Sequence, residues 1–417
     1  MLAALISVAA GVGLAIILLG SSASDSGKEP PPEIVARGVD LTRHTIYKSP
    51  QRPGYTAWTG AWTMPDKSLM VAFTQATGPV DVSRRARVSA ALRRRVGANA
   101  IPSGYDFSGL RLGVEYLRST DGGGSWKRVR EDRYNAPVVV AYTPQATLAL
   151  PDGTLIRRVN GYDVWSNKPS LRTAYLQRLA PGAKRWSKPQ ILLDPKRFMY
   201  QISRIRRLTD GRLIALGGAW NTPAGTPLGA LPRARRRWLL MVSEDQGKTW
   251  KGGMKVSPQA SAFIPNEWDA AELPNGDLLA VLRTRDRANP RVHVRRQATL
   301  RKDDGGWTMT DVRKPPFPHS GHPELLRTRE GVILHIADTG IHYTSDGGRR
   351  WRRLRFNGKV AVGPDVPDRY KSEYYPRAVQ AADGTIHVFG HVGADDPYGA
   401  RDQAIVEDRF RLVTRRR

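Results

Sequence analysis

Residues 119–126 read Ser-Thr-Asp-Gly-Gly-Gly-Ser-Trp ("STDGGGSW"), and the turn they spell returns as "SEDQGKTW" at 243–250 and, more loosely, as "TSDGGRRW" at 344–351. The shared pattern is Ser/Thr-x-Asp-x-Gly, closed by a tryptophan. An Asp and a Ser at these places can satisfy backbone N–H groups inside the turn, and the Gly permits a positive φ. The tryptophan then has a large apolar face to bury under the hairpin. If Asp121, Asp245 and Asp346 were catalytic, the molecule would need three equivalent active sites, so the turn is read as scaffold.

A second element repeats between these turns. It is a tight turn followed at once by a short apolar run: "PDKSLMVAF" (65–73), "PDGTLIRRV" (151–159), "TDGRLIALGG" (209–218), "PNGDLLAVL" (274–282), "REGVILHIA" (329–337) and "ADGTIHVFG" (382–390). The turn glycines Gly153, Gly211, Gly276, Gly331 and Gly384 are spaced by 58, 65, 55 and 53 residues, with a longer first gap of 86. Each run is too short for a helix and is bounded by turn residues, which reads as a hairpin leading into a buried strand. Trp126, Trp186, Trp250, Trp307 and Trp351 fall between the runs at spacings of 60, 64, 57 and 44. One turn strand and one tryptophan hairpin per unit, six units in all, predict a radial all-β repeat, a six-bladed β-propeller. An α/β fold would need regular helices between the strands; the one basic helical pattern, at 82–97, falls in an insertion expected at about 78–105.

The chain has 417 residues with 66 Lys plus Arg against 38 Asp plus Glu, a net charge of +28. That excess points to anionic surroundings such as acidic glycans, wall polymers or lipid headgroups. No zinc finger, RNP-type aromatic motif or helix-turn-helix pattern supports nucleic acid as the partner. Cysteine is absent, which excludes disulfides, a thiol nucleophile and thiolate metal sites. The uncharged stretch 2–20 is about long enough to cross a bilayer and is followed by "SSASDSGKEPPPE". The expected organisation is therefore a signal peptide or membrane anchor over 1–24, a Pro/Ser-rich linker over 25–44, the propeller over 45–412 and a basic tail at 413–417. Export is expected, to the medium or to the outer face of the membrane. Oligomeric state is left open.

The tryptophan turn resembles the Asp-box, or BNR repeat, of the sialidase (neuraminidase) superfamily, and the resemblance runs over roughly residues 45–412. It implies a glycoside hydrolase with a tyrosine nucleophile, a glutamate that polarises the tyrosine, an aspartic acid/base and three arginines on the substrate carboxylate; no cofactor or metal is expected. A phenol suits such a substrate because a carboxylate nucleophile would be repelled by the sugar's own carboxylate. The resemblance places the nucleophile at Tyr375 in "YYPRAVQAADGTIHVFG", its partner at Glu267 in "NEWDAAELPNGDLLAVLRTRD", and one clamp arginine at Arg283. Asp106 is the expected acid/base, with Asp81 as the alternative. The two remaining arginines have no counterpart: the first place falls on Ala57, beside Trp58, and "EGVILHIADTGIHYTSDGG" (330–348) holds none. Arg204, Arg206 and Arg207, ahead of the third-unit turn, and Arg377 are expected to substitute as substrate contacts. His322 and His391, with Asp395 and Asp396 nearby, keep open a glycosidase or lyase acting on another sugar. A non-catalytic glycan-binding propeller is the remaining alternative.

Overall fold

The structure is a computed structural model that describes residues 33–50, 55–78, 111–133, 144–163, 170–227, 230–232, 235–304, 306–337, 339–356, 375–392 and 404–416. Its strands form six separate sheets, the blades of a propeller. Blade one holds β2 (Tyr55–Thr63), β3 (Leu69–Thr77), β4 (Arg111–Ser119) and β5 (Lys127–Arg133). Blade two holds β6 (Leu148–Ala149), β7 (Leu155–Asp163) and β8 (Ser170–Leu179). Blade three holds β9 (Met199–Arg207), β10 (Leu213–Trp220), β11 (Arg237–Ser243) and β12 (Lys251–Gly252). Blade four is β14 (Phe263–Glu272), β15 (Leu278–Asp286), β16 (His293–Asp303) and β17 (Gly306–Arg313), with β13 (Met254–Val256) lying parallel along β17. Blade five comprises β18 (Glu324–Arg327), β19 (Ile333–Ala337), β20 (Gly340–Thr344) and β21 (Arg352–Arg353).

Blade six is built from both ends of the chain. β22 (Arg377–Gln380), β23 (Ile386–Val392) and β24 (Ala404–Arg416) are joined by β1 (Ile34–Lys48), which pairs antiparallel with β24 from Ile34↔Arg416 to Lys48↔Ala404. This closes the ring and removes two free sheet edges at once. It also corrects the expected boundaries. The stretch 34–44, assigned to a linker, is strand, and Val413–Arg416, assigned to a tail, belongs to β24. The apolar stretch 2–20, the insertion expected at about 78–105, Asp81, Asp106, Asp395 and Asp396 lie outside the described residues.

The six short turns are built alike. In each, a backbone N–H three residues on returns to the first carbonyl, as in Gly153 to Leu150, Gly211 to Leu208, Gly276 to Leu273, Gly331 to Thr328 and Gly384 to Ala381. These glycines sit at φ between 84° and 91°, and in the first turn Lys67 takes that place at φ 67°, a conformation that costs a side chain more than it costs glycine. The tryptophan turns match the sequence reading in detail. Asp121 accepts from the Ser119 hydroxyl (2.7 Å) and from the Ser125 N–H (2.9 Å) and hydroxyl (2.6 Å). Asp245 repeats this with Ser243 and Thr249, and Asp346 with Thr344 and the Arg350 N–H.

Each tryptophan ring reaches back to the preceding blade. Trp126 meets Phe389 edge-on at 5.4 Å, Trp186 donates to Asp132, Trp351 donates to Gln297, and Arg212 lies over Trp307. The hydrophobic core is accordingly a ring of inter-blade clusters, such as Trp238, Trp268 and Trp307 between blades three and four. The antiparallel order within each blade sorts the connections. Both kinds of turn fall on one face of the propeller. The starts of the inner strands β2, β9, β14, β18 and β22 and the ends of the second strands fall on the other.

Candidate active site

That second face gathers the candidate residues. β14 carries a bulge between Pro265 and Trp268, so that Asn266 and Glu267 together oppose Arg283 of β15. A bulge re-aims a side chain that regular pleating would send elsewhere. Here it turns Glu267 toward Arg283, whose Nη1 donates to Glu267 Oε2 at 3.0 Å. Tyr375, just before β22, reaches the same point from blade six. Its hydroxyl donates to Glu267 Oε1 at 3.2 Å, and Arg283 Nη1 lies 3.4 Å from the same phenolic oxygen. A cross-strand pair of blade four and a tyrosine from the start of blade six thus form one closed triangle.

Burial raises the Glu267 pKa, but the Arg283 and Arg236 guanidinium groups and the tyrosine hydrogen bond outweigh it and hold the carboxyl below its ordinary value. Glu267 is then a carboxylate at neutral pH, positioned to take the phenolic proton, while Arg283 faces the oxygen on which negative charge would develop. His391, at the end of β23, lies nearly parallel to the Tyr375 ring at 6.3 Å and 21°. Burial lowers its pKa to about 4, so it is a neutral imidazole beside the phenol. His319 is lowered to about 3 by burial and by Arg295 and Arg283, and it meets His293 edge-on at 5.2 Å.

Other expected residues are not at this point. Arg204 and Arg377 were expected to touch substrate, but they are 6% and 0% exposed and both pair with Glu324, at 2.5 Å and 3.3 Å. Arg206 pairs with Asp269 at 2.5 Å. His322 is also buried, its ring nitrogens 2.7 Å and 3.2 Å from the carbonyl oxygens of Pro323 and Ser203. These residues plug the propeller axis beneath the site and are closed to a sugar. Their strand positions are right for the axis, and only burial reveals that they point into it. Asp106 lies outside the described residues; Thr77 and Arg111, which pair with each other at the ends of β3 and β4 on either side of it, are on the site face. Among the described residues no group of three or more His, Asp or Glu side chains is placed to hold a metal.

Arg236 was not expected. It lies over the Trp220 ring at 4.3 Å and donates to Asn266 Oδ1 (3.1 Å) and Gln201 Oε1 (3.0 Å). A Cβ at Gly218 would stand 2.4 Å from Arg236 Nε, so the glycine makes room for it. In the sequence it is one arginine in the run "RARRRW" (233–238) and nothing separates it from its neighbours. Where the first clamp arginine would stand, β2 is bulged between Ala57 and Gly60 and Trp58 is held at φ 55°, an uncommon conformation for a bulky residue.

No protein-family model and no curated protein matches the sequence. Solved structures do match the fold. A Dyadobacter fermentans protein of unknown function aligns with a TM-score of 0.61 at 18% identity, over 91% of this chain and 99% of its own. The fold is shared with sialidases. The leech intramolecular trans-sialidase aligns with a TM-score of 0.55 at 10% identity, over 90% of this chain and 70% of its own. The sialidase of Trypanosoma rangeli aligns at 0.51 and 13% identity, over 88% of this chain and 59% of its own. At such identities the likeness is one of architecture.

Proposed function

We propose that the chain is a retaining glycoside hydrolase of sialidase type, acting on glycans that end in an acidic sugar. The observation that carries this reading is the closed contact of Tyr375, Glu267 and Arg283. Glu267 takes the phenolic proton as the Tyr375 oxygen forms a bond to the anomeric carbon. The bond from that carbon to the leaving oxygen breaks, and an acid group protonates the leaving oxygen. Asp106 is our candidate for that acid. Water, deprotonated by the same group, then attacks the anomeric carbon, and Tyr375 leaves with its proton restored from Glu267. A carboxylate on the sugar is favoured here because the Arg283 and Arg236 guanidinium groups act on the Glu267 position while His319 and His391 are neutral.

A second reading rests on His391. A neutral imidazole beside a tyrosine is also the pair needed to abstract and deliver protons in eliminative cleavage of a uronate. Export, with the apolar stretch 2–20 as signal or anchor, belongs to the same proposal.

The test is turnover of aryl sialosides, uronosides and neutral glycosides by the native protein and by Tyr375→Phe. Hydrolysis of an acidic glycoside that falls about 10³-fold in the variant, with a fluorinated substrate labelling Tyr375 in peptide mass spectrometry, is the expected result. Full activity in Tyr375→Phe overturns it. An unsaturated uronate product that disappears in His391→Ala establishes the eliminative reading instead.

A further inference from the structure

Beneath the triangle, the inner strands bring an unusual set of charges to the propeller axis. Arg204 of β9, Arg206 of β9 and Arg377 of β22 face Asp269 of β14 and Glu324 of β18. Asp269 accepts from Arg206 Nε at 3.0 Å and from the Leu325 N–H at 2.8 Å, and Glu324 accepts from Arg204 and from the Ala378 N–H at 3.1 Å. Both carboxylates are 0% exposed. Among these residues three guanidinium groups meet two carboxylates, and the buried Arg158 guanidinium on Gln145 adds a fourth, an excess of two positive charges in the driest part of the molecule. His322 does not alter the balance, because burial, Arg377 and Arg204 drive its pKa well below the ordinary value.

The donors are not all used either. Arg377 gives Nε to the Gln145 carbonyl oxygen at 3.0 Å and Nη1 to the Pro376 carbonyl oxygen at 2.7 Å, but its Nη2 meets no acceptor among the described residues. Gln145, 3% exposed, accepts on its carbonyl oxygen from Arg377 and from Arg204 and on its Oε1 from Arg158, while its Nε2 has no acceptor among the described residues. An unsatisfied buried N–H costs about 1–3 kcal/mol, and more where the donor is charged. A buried charge without its counter-ion is costlier still.

We propose that a small inorganic anion of the halide class binds on the propeller axis, between Arg377 Nη2 and Gln145 Nε2. A halide offsets part of this excess and accepts N–H donors from any direction. Arg377 is wholly buried, which excludes a sugar carboxylate and leaves a bare ion as the smaller anion. The depressed pKa of Arg377, about 9 through burial and the nearby Arg204, agrees with an undercompensated guanidinium. The proposal is independent of the hydrolase reading. Tyr375 and Arg377 are two residues apart, and the His322 and Tyr375 rings are 5.8 Å apart, so the ion would also brace the floor of the triangle.

The experiment compares the melting temperature in sodium chloride and in sodium gluconate at equal ionic strength, over increasing anion concentration. The native protein is expected to gain about 2–4 °C in chloride, with saturation, as a ligand that binds only the folded state requires. Gln145→Glu places a carboxylate where the ion would sit. This variant is expected to melt at the same temperature in both salts and no lower than the native protein in chloride. Crystals soaked in bromide should give an anomalous peak within contact of Arg377 Nη2. Equal melting in both salts, a chloride response kept in full by Gln145→Glu, or an axis without a bromide peak each overturns the proposal. A shift that merely tracks the basic surface would be unsaturable and unchanged in the variant, and it counts against the site.

Discussion

His335 offers the sharpest test of how this propeller tolerates acid. The residue lies on β19, is 0% exposed and stacks on Phe317 at 3.9 Å and 11°. Neither ring nitrogen meets a hydrogen-bond partner among the described residues. Burial, with Arg295 and His342 adding to it, pushes its pKa well below the ordinary value. The folded state therefore keeps the imidazole neutral, while an unfolded chain protonates it near pH 6.5. The stability at stake is fully present above that pH and is lost as pH falls below it. At pH 5, 1.5 units lower, the loss is about 2 kcal/mol for this one group, at 1.36 kcal/mol per unit.

His335→Phe keeps a flat ring against Phe317 and removes the titration. Its stability relative to the native protein should improve by about 2 kcal/mol between pH 7.5 and pH 5, or about 2–4 °C in a chain of this size. Thermal unfolding of both proteins in matched buffers across that interval measures it. Parallel stability curves would refute the reasoning, because they would mean that the ring is already charged, or exposed, in the folded state. His391 and His342, each lowered to about 4 chiefly by burial, act in the same direction, so the native protein should itself be labile below about pH 5.5.

Two further outcomes follow from the geometry. Arg283→Met removes the cation facing Glu267, so the Glu267 pKa should rise and the acid limb of the pH dependence of kcat/KM should move up by about 1–2 units; an unmoved limb would show that Arg283 does not hold that carboxylate. Gly217→Ala would put a Cβ 1.9 Å from the Gln201 carbonyl oxygen, where backbone meets backbone beside the Trp268 Nε1 to Gly217 hydrogen bond of 2.8 Å. Denaturant unfolding should show a loss of about 3 kcal/mol or more, from overpacking that no rotamer relieves.

How far the sequence could be read differs from residue to residue. The six turns and the tryptophan turns are local constructions, in which Asp121, Ser125 and Gly153 act within a few residues of themselves, and so the blade count was legible. That Tyr375, Glu267 and Arg283 come together was legible as well, because a repeated strand turns a distance along the chain into a position on the propeller. Arg204 and Arg377 were misread for the same reason. Counting placed them on inner strands, but strand position does not say whether a side chain meets solvent or Glu324. Arg236 had no signal at all, since its role comes from Trp220, Gln201 and Asn266, brought to it from three other segments.

What the chain alone determined is therefore everything carried by short-range chemistry and its period: an all-β radial repeat, its register and the turn that marks it. Tertiary structure alone decided which charges are dry and which are wet. Desolvation and ion pairing depend on what six blades jointly bury, and no single blade encodes that. For that reason Arg283 lies against the Tyr375 hydroxyl, while Arg377, two residues beyond that tyrosine, is locked in the axis.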